Sequence, residues 1–200
     1  MSLTVSFSLD MSTLPKSPFT DVVAGSWYFD AALYASSHNL MLGTSPTEFS
    51  PNITMTRGML VTVLYRMNGS PSVSGKTPFT DVRTDEWYSA AVLWAYQNGI
   101  VTGMSDTTFA PINNVTREQM ATILFRYTKT AAPDKAKASA DLSGFADAGS
   151  VNDWAVDAMR WAVGQKLIAG ITLEQSVYLQ PRGNATRAQA ATVLTRYYAQ

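Results

Sequence analysis

Three arginines stand in the same setting along this chain. Arg57, Arg117 and Arg187 each follow a threonine (Thr56, Thr116, Thr186) at the predicted start of a helix. A threonine there accepts an N–H of the first turn through its hydroxyl. A helix N-terminus carries unpaired N–H groups and partial positive charge, so a guanidinium fork at the same place makes a site suited to a carboxylate or a phosphate. The alternative is an intramolecular ion pair, each arginine locking onto an aspartate such as Asp21 or Asp81, and the residues alone leave both readings open. Three residues after the threonines come Met59, Gln119 and Gln189. The second and third copies therefore fit the Thr-x-x-Gln form of a capping box, and the first does not.

Aromatic residues form a second repeated set. Trp27, Trp87 and Trp154 are predicted to begin the first helix of each copy, and Tyr34, Trp94 and Trp161 follow seven residues later. An aromatic stripe at that spacing belongs more often to a core than to a ligand platform. At most one series is expected to line a groove. The first is favoured, because it lies close in sequence to a repeated aspartate.

Catalytic chemistry is poorly supported. The chain has no cysteine, which excludes thiol nucleophiles, disulfides and zinc thiolates. Its one histidine, His38, has no counterpart in the other repeats and no partner set for nucleophilic or metal chemistry. The repeated carboxylates leave a glycosidase pair open, but aspartates placed near repeated arginines are better read as ion pairs or ligand contacts. A helical scaffold for a protein partner is the other alternative, and it would expose an apolar groove instead. No cofactor and no metal is expected.

The elements that must position these residues recur in triplicate. Each copy has a Phe-x-Asp (Phe19 and Asp21, Phe79 and Asp81, Phe145 and Asp147), the Trp, a Gly (Gly43, Gly103, Gly170) and an apolar-x-Pro (Phe49 and Pro51, Phe109 and Pro111, Leu179 and Pro181). Trp to Gly is sixteen residues in every copy, and the apolar residue to Arg is eight. Spacing held this closely marks a copied supersecondary unit. First helices are predicted over Trp27–Ser37, Glu86–Asn98 and Asp153–Gln165. The second carries an i, i+3, i+4, i+7 stripe: Leu60, Val63, Leu64 and Met67, then Met120, Ile123, Leu124 and Tyr127, then Ala190, Val193, Leu194 and Tyr197. The stripes are expected to face one another, with Leu64, Leu124 and Leu194 near one axis and the first helices outside. The fold class is therefore all-α, three helix-loop-helix repeats with pseudo-threefold symmetry around a central three-helix bundle. Repeats are assigned to 19–68, 79–128 and 145–200, with exposed linkers at 69–78 and 129–144. Residues 1–18 form an N-terminal segment or cloning remnant.

Composition limits the partners. Fifteen basic and fifteen acidic residues leave no basic footprint for nucleic acid. No apolar run reaches the length of a membrane span, and no signal peptide is visible at Met1-Ser2-Leu3. The isolated module is expected to be monomeric.

The triplicate order of Phe-x-Asp, Trp, Gly-x-x-Asp-x-x-Phe-x-Pro (Gly103, Asp106, Phe109, Pro111) and a Thr-Arg helix start resembles the S-layer homology domain, from Phe19 to Tyr197. That resemblance implies a three-pronged helical module at the bacterial cell surface, outside the cell. It would bind an acidic, typically pyruvylated, secondary cell-wall polysaccharide without turnover. It also implies that Arg57, Arg117 and Arg187 meet the pyruvyl ketal, and that Asp21, Asp81, Asp147 and Trp27, Trp87, Trp154 are groove residues. The chain departs from the family's Thr-Arg-Ala-Glu start. Met59, Gln119 and Gln189 replace Glu, Gly58 and Glu118 replace Ala, and the third copy has Leu179 for Phe and a longer loop after Gly170. The sites are thus expected to be unequal. Arg117, with its capping box and the well-kept Gly103-to-Pro111 loop of its own repeat, is expected to be the best preserved.

Overall fold

The computed structural model describes residues 17–137 and 139–198, so the segment 1–18 lies almost wholly outside the described residues. Among these residues six α-helices follow in order: α1 (Phe29–Ser37), α2 (Arg57–Met67), α3 (Ser89–Gln97), α4 (Arg117–Ala131), α5 (Val156–Gly164) and α6 (Arg187–Tyr198). The all-α repeat fold is as expected. One small addition is a hairpin of β1 (Ile171–Leu173) and β2 (Ser176–Tyr178), paired antiparallel with Ile171 opposite Tyr178. It is built from the longer loop of the third repeat.

The first helices begin later than their periodicity predicts. Trp27 and Trp87 sit two residues ahead of α1 and α3, and Trp154 lies in a short 3-10 turn before α5. Off the helix, these side chains escape the apolar face: Trp27, Trp87 and Trp154 are 65%, 58% and 54% exposed. Trp94 and Trp161 of the second series are buried in the core, and Tyr34 packs against it half-buried. The aromatic sets thus divide as expected, one core and one surface.

The repeats do not close on themselves. α2 packs on α3, α4 on α5, and α6 returns to α1, so each second helix is partnered by the first helix of the next repeat. The closure is cyclic. Just ahead of the second helices, the Met55 amide donates to the Ala185 carbonyl (2.8 Å), Ala185 to Val115 (2.9 Å) and Val115 to Met55 (2.9 Å). That ring of three hydrogen bonds surrounds the pseudo-threefold axis. Leu64, Leu124 and Leu194 are buried in one continuous core. Across it the Tyr127 and Tyr197 rings lie 6.0 Å apart, linking α4 to α6.

The stretch 129–144, expected as an exposed linker, is partly built in. α4 continues to Ala131 and a 3-10 turn covers Pro133–Lys137. The Lys135 carbonyl accepts the indole N–H of Trp161 at 2.9 Å, and Ala140 exchanges hydrogen bonds with Arg160. A buried indole needs an acceptor, and the linker supplies it.

Candidate functional site

Each second helix begins as its sequence requires. Thr56 accepts the Met59 amide, and Thr116 and Thr186 form full capping boxes with Gln119 and Gln189. The next two amides, however, are not free for an anion. Arg57 N donates to Asn113 O and Gly58 N to Pro111 O. Arg117 and Glu118 donate to Gly183 and Pro181, and Arg187 and Ala188 to Ile53 and Pro51, all within 2.9 Å. Carbonyls of the next repeat in the cycle therefore quench the helix ends. What remains for a ligand is the guanidinium.

Those guanidiniums are held by a relay that crosses repeats. The Arg57 Nε donates to the Phe109 carbonyl (2.8 Å), Arg117 Nε to Leu179 (2.7 Å) and Arg187 Nε to Phe49 (2.8 Å). The residue after each carbonyl (Ala110, Gln180, Ser50) is in the left-handed region, with φ between 49° and 59°. Its amide is captured by an aspartate. Asp81 takes the Phe109 and Ala110 amides at 2.9 and 2.7 Å, Asp147 those of Leu179 and Gln180, and Asp21 those of Phe49 and Ser50. Both oxygens of every repeated carboxylate are engaged this way. The Arg and Asp form no ion pair within 4 Å among the described residues; one peptide unit separates them, with its N–H on the Asp and its C=O on the Arg.

Arg57, Arg117 and Arg187 are each 5% exposed. Burial pulls the Arg57 guanidinium down to about 10, against the favourable field of Asp81, so it stays cationic at neutral pH. Arg117 and Arg187 are lowered for the same reason. The Arg57 and Arg187 guanidiniums lie 4.7 and 4.8 Å over the rings of Phe109 and Phe49, whereas Leu179 gives Arg117 no ring. The outer nitrogens decide what is available. Arg187 Nη2 donates to the Leu42 carbonyl at 2.6 Å. Arg57 and Arg117 spend no outer nitrogen on the protein among the described residues. No buried side-chain nitrogen there lacks a partner, so those nitrogens face solvent.

Two grooves of matching composition open over these arginines. One, of about 310 Å³, is lined by Arg57, Val101, Thr102, Gly103, Met104, Gln119, Thr122, Ile123, Arg126 and Trp154. The other, of about 520 Å³, is lined by Arg117, Leu167, Ile168, Ala169, Gly170, Ile171, Gln189, Thr192, Val193, Arg196 and Trp27. Each takes its arginine from one repeat, its loop and helix wall from the next, and its tryptophan from the third. The Gly103 loop thus serves Arg57, and Arg117 faces the altered Gly170 loop. The sequence reading joined Arg117 to the Gly103 loop because both lie in one repeat; cyclic closure separates them.

Sequence reasoning noted Glu118 only as a departure from the family's helix start and gave it no role. It is 2% exposed, and its carboxylate accepts the Asn152 amide (3.1 Å) and side-chain N–H (2.6 Å), which pins the turn carrying Trp154. Gly58 and Ala188 hold this position in the other copies and offer no such anchor. The only sequence signal was that Glu118 is charged where the other two copies are small. Among the described residues no group of His, Asp or Glu is placed to hold a metal, and no helix is long and apolar enough to cross a membrane.

Comparison with known proteins agrees with this geometry. The S-layer homology domain model matches three segments, 18–58, 78–121 and 144–191, about two thirds of the chain. The chain belongs to that family, as a tandem array of three repeats. It is 34% identical over 178 residues to an endoglucanase of Bacillus sp. (strain KSM-635), covering 89% of this chain and 18% of the enzyme. It is 32% identical over 154 residues to the surface-layer 125 kDa protein of Lysinibacillus sphaericus, covering 77% and 12%, and 28% identical over 181 residues to exoglucanase XynX of Acetivibrio thermocellus, covering 90% and 16%. The chain spans less than a fifth of these relatives. The enzymes share with it only the S-layer homology region, which is a binding module and not a catalytic one. Family and surface-layer relatives together support a cell-wall anchoring module at the cell surface.

Proposed function

We propose that this module holds its parent protein non-covalently on the bacterial wall by binding an acidic, pyruvylated secondary cell-wall polysaccharide. The observation that carries this reading is the pair of matching grooves, each with a buried, charged arginine whose outer nitrogens face solvent beside an exposed tryptophan. A buried guanidinium with free donors suits a ketal carboxylate, since a charge-assisted, forked contact is worth more there than in open water. The indole offers a flat apolar face to a sugar ring. Arg57 and Arg117, with Trp154 and Trp27, are the working contacts. Arg187, its Nη2 spent on Leu42, and Trp87 serve a weaker third position. Asp21, Asp81 and Asp147 act on the ligand through the arginines they position. Weak sites on one polymer then add through avidity.

The test is co-sedimentation with purified walls before and after mild acid removes ketal-linked pyruvate. Binding is expected to the native wall and not to the treated one. Equal retention on both would replace carboxylate capture with neutral-sugar stacking. Arg57→Ala should weaken binding by about 1.5–3 kcal/mol, more than Arg117→Ala or Arg187→Ala, because only Arg57 combines free outer nitrogens, the Phe109 ring and a pinned tryptophan. This ranking reverses the one drawn from the sequence.

A further inference from the structure

The Arg57 groove holds a second guanidinium that the reading above does not use. Arg126, nine residues after Arg117 on α4, lines the same wall as Gln119 and Ile123. It is half-buried, and among the described residues the one hydrogen bond of its guanidinium to the protein is from Nη1 to the Thr102 hydroxyl at 3.2 Å. Its charge disfavours that of Arg57, and among the described residues the opposite charge bearing on Arg57 is that of Asp81. Both Asp81 oxygens already accept backbone amides. The rest of the groove wall is neutral. A chain with balanced charge thus gathers two like charges in one cavity of about 310 Å³ and lines it with no carboxylate. Like charges facing one cavity cost stability until an anion joins them. In the Arg117 groove the equivalent Arg196 also lines the wall, but its Nη1 is already held by the Lys166 and Leu167 carbonyls.

We propose that Arg126 is a second anion-binding residue, so that the Arg57 groove takes a polymer segment carrying two acidic groups on the same or adjoining sugars. This rests on the polysaccharide reading and adds the charge count of its ligand. The ring-stacking wall of Trp154 lies in the same groove, so the two anions would flank one stacked sugar.

The experiment compares Arg126→Gln, Arg126→Lys, Arg196→Gln and Arg57→Gln by equilibrium binding to solubilised wall polymer, native and ketal-stripped, at two salt concentrations. Circular dichroism checks each fold. Arg126→Gln is expected to bind native polymer roughly 10-fold more weakly, as for one lost charge-assisted contact, and with a shallower fall in affinity as salt rises. Arg126→Lys should stay within about threefold of the parent and Arg196→Gln should lose less than Arg126→Gln, as its Nη1 is already engaged. Any binding that survives stripping and is still weakened by Arg126→Gln identifies the second group as an acid-stable anion such as a phosphate. Unchanged binding by Arg126→Gln, with binding lost in Arg57→Gln, overturns this inference and leaves the anchoring reading standing. Equal losses in Arg126→Gln and Arg126→Lys also overturn it, because charge would not be what the polymer reads. Full binding by Arg57→Gln overturns the anchoring reading itself.

Discussion

At the scale of single residues, the repeated aspartates show how a residue essential to a site need not touch its ligand. Asp81 fixes a left-handed Ala110 and thereby aims the Phe109 carbonyl at Arg57. Asp81→Ala leaves two amides without their acceptor and should cost about 1–3 kcal/mol, read from urea unfolding. Polymer binding should fall with it, since Arg57 loses its positioning. Asp106→Ala, an exposed acid in the same loop, should change neither. Glu118→Ala tests a different link: it frees the Trp154 turn, so binding should drop while Arg57 keeps its own partners. A variant that binds normally would show that Trp154 needs no pinning. The arginines and tryptophans were legible in the sequence because their types and spacing are unusual and repeated. The role of the aspartates was not, because spacing along the chain does not reveal which oxygen meets which amide.

At the scale of elements, local rules were obeyed wherever chemistry was local. The capping boxes appear at Thr116 and Thr186 and not at Thr56, as Gln119, Gln189 and Met59 dictate. Met59→Gln should therefore complete the first box and raise stability by about 0.3–1.5 kcal/mol, measured by thermal unfolding. The loops are less forgiving. Gly103 has φ +84°, and a Cβ there would sit 2.6 Å from the Phe79 ring. Gly103→Ala should cost about 1–3 kcal/mol and distort the Arg57 groove. Gly144→Ala meets nothing within 4 Å at ordinary φ and should be neutral. Helix starts were misjudged at Trp27, Trp87 and Trp154 because periodicity cannot see that the preceding turns are closed by the Ser26, Glu86 and Asn152 carbonyls. The hairpin at Ile171–Tyr178 was missed because its strands are three residues each, too short to show alternation.

At the scale of the molecule, the sequence displayed three units but not how they interlock. Three equivalent stripes fit self-contained repeats stacked around an axis as well as the arrangement found, in which the closely packed helix pairs, the arginine relays and both arginine grooves join different repeats. Only non-local contacts distinguish the two. The consequence is that no repeat, and no pair of repeats, has a complete core. Removing residues 145–200 takes away α5 and α6, strips α4 and α1 of their partners, and opens the ring of Met55, Val115 and Ala185. It also removes the Leu179 carbonyl from Arg117 and Arg187 from Phe49. The truncated chain should show no cooperative urea transition, whereas the whole module should unfold in one step because its core is continuous. A sharp transition in the two-repeat chain would mean that cyclic closure is dispensable. Leu124→Ala in the whole module completes the argument. Buried at the middle of that core, it should cost about 2–5 kcal/mol and shift the single transition as a unit. A loss under about 1 kcal/mol, or a transition that splits in two, would show the repeats to be energetically separate despite their interlocked grooves.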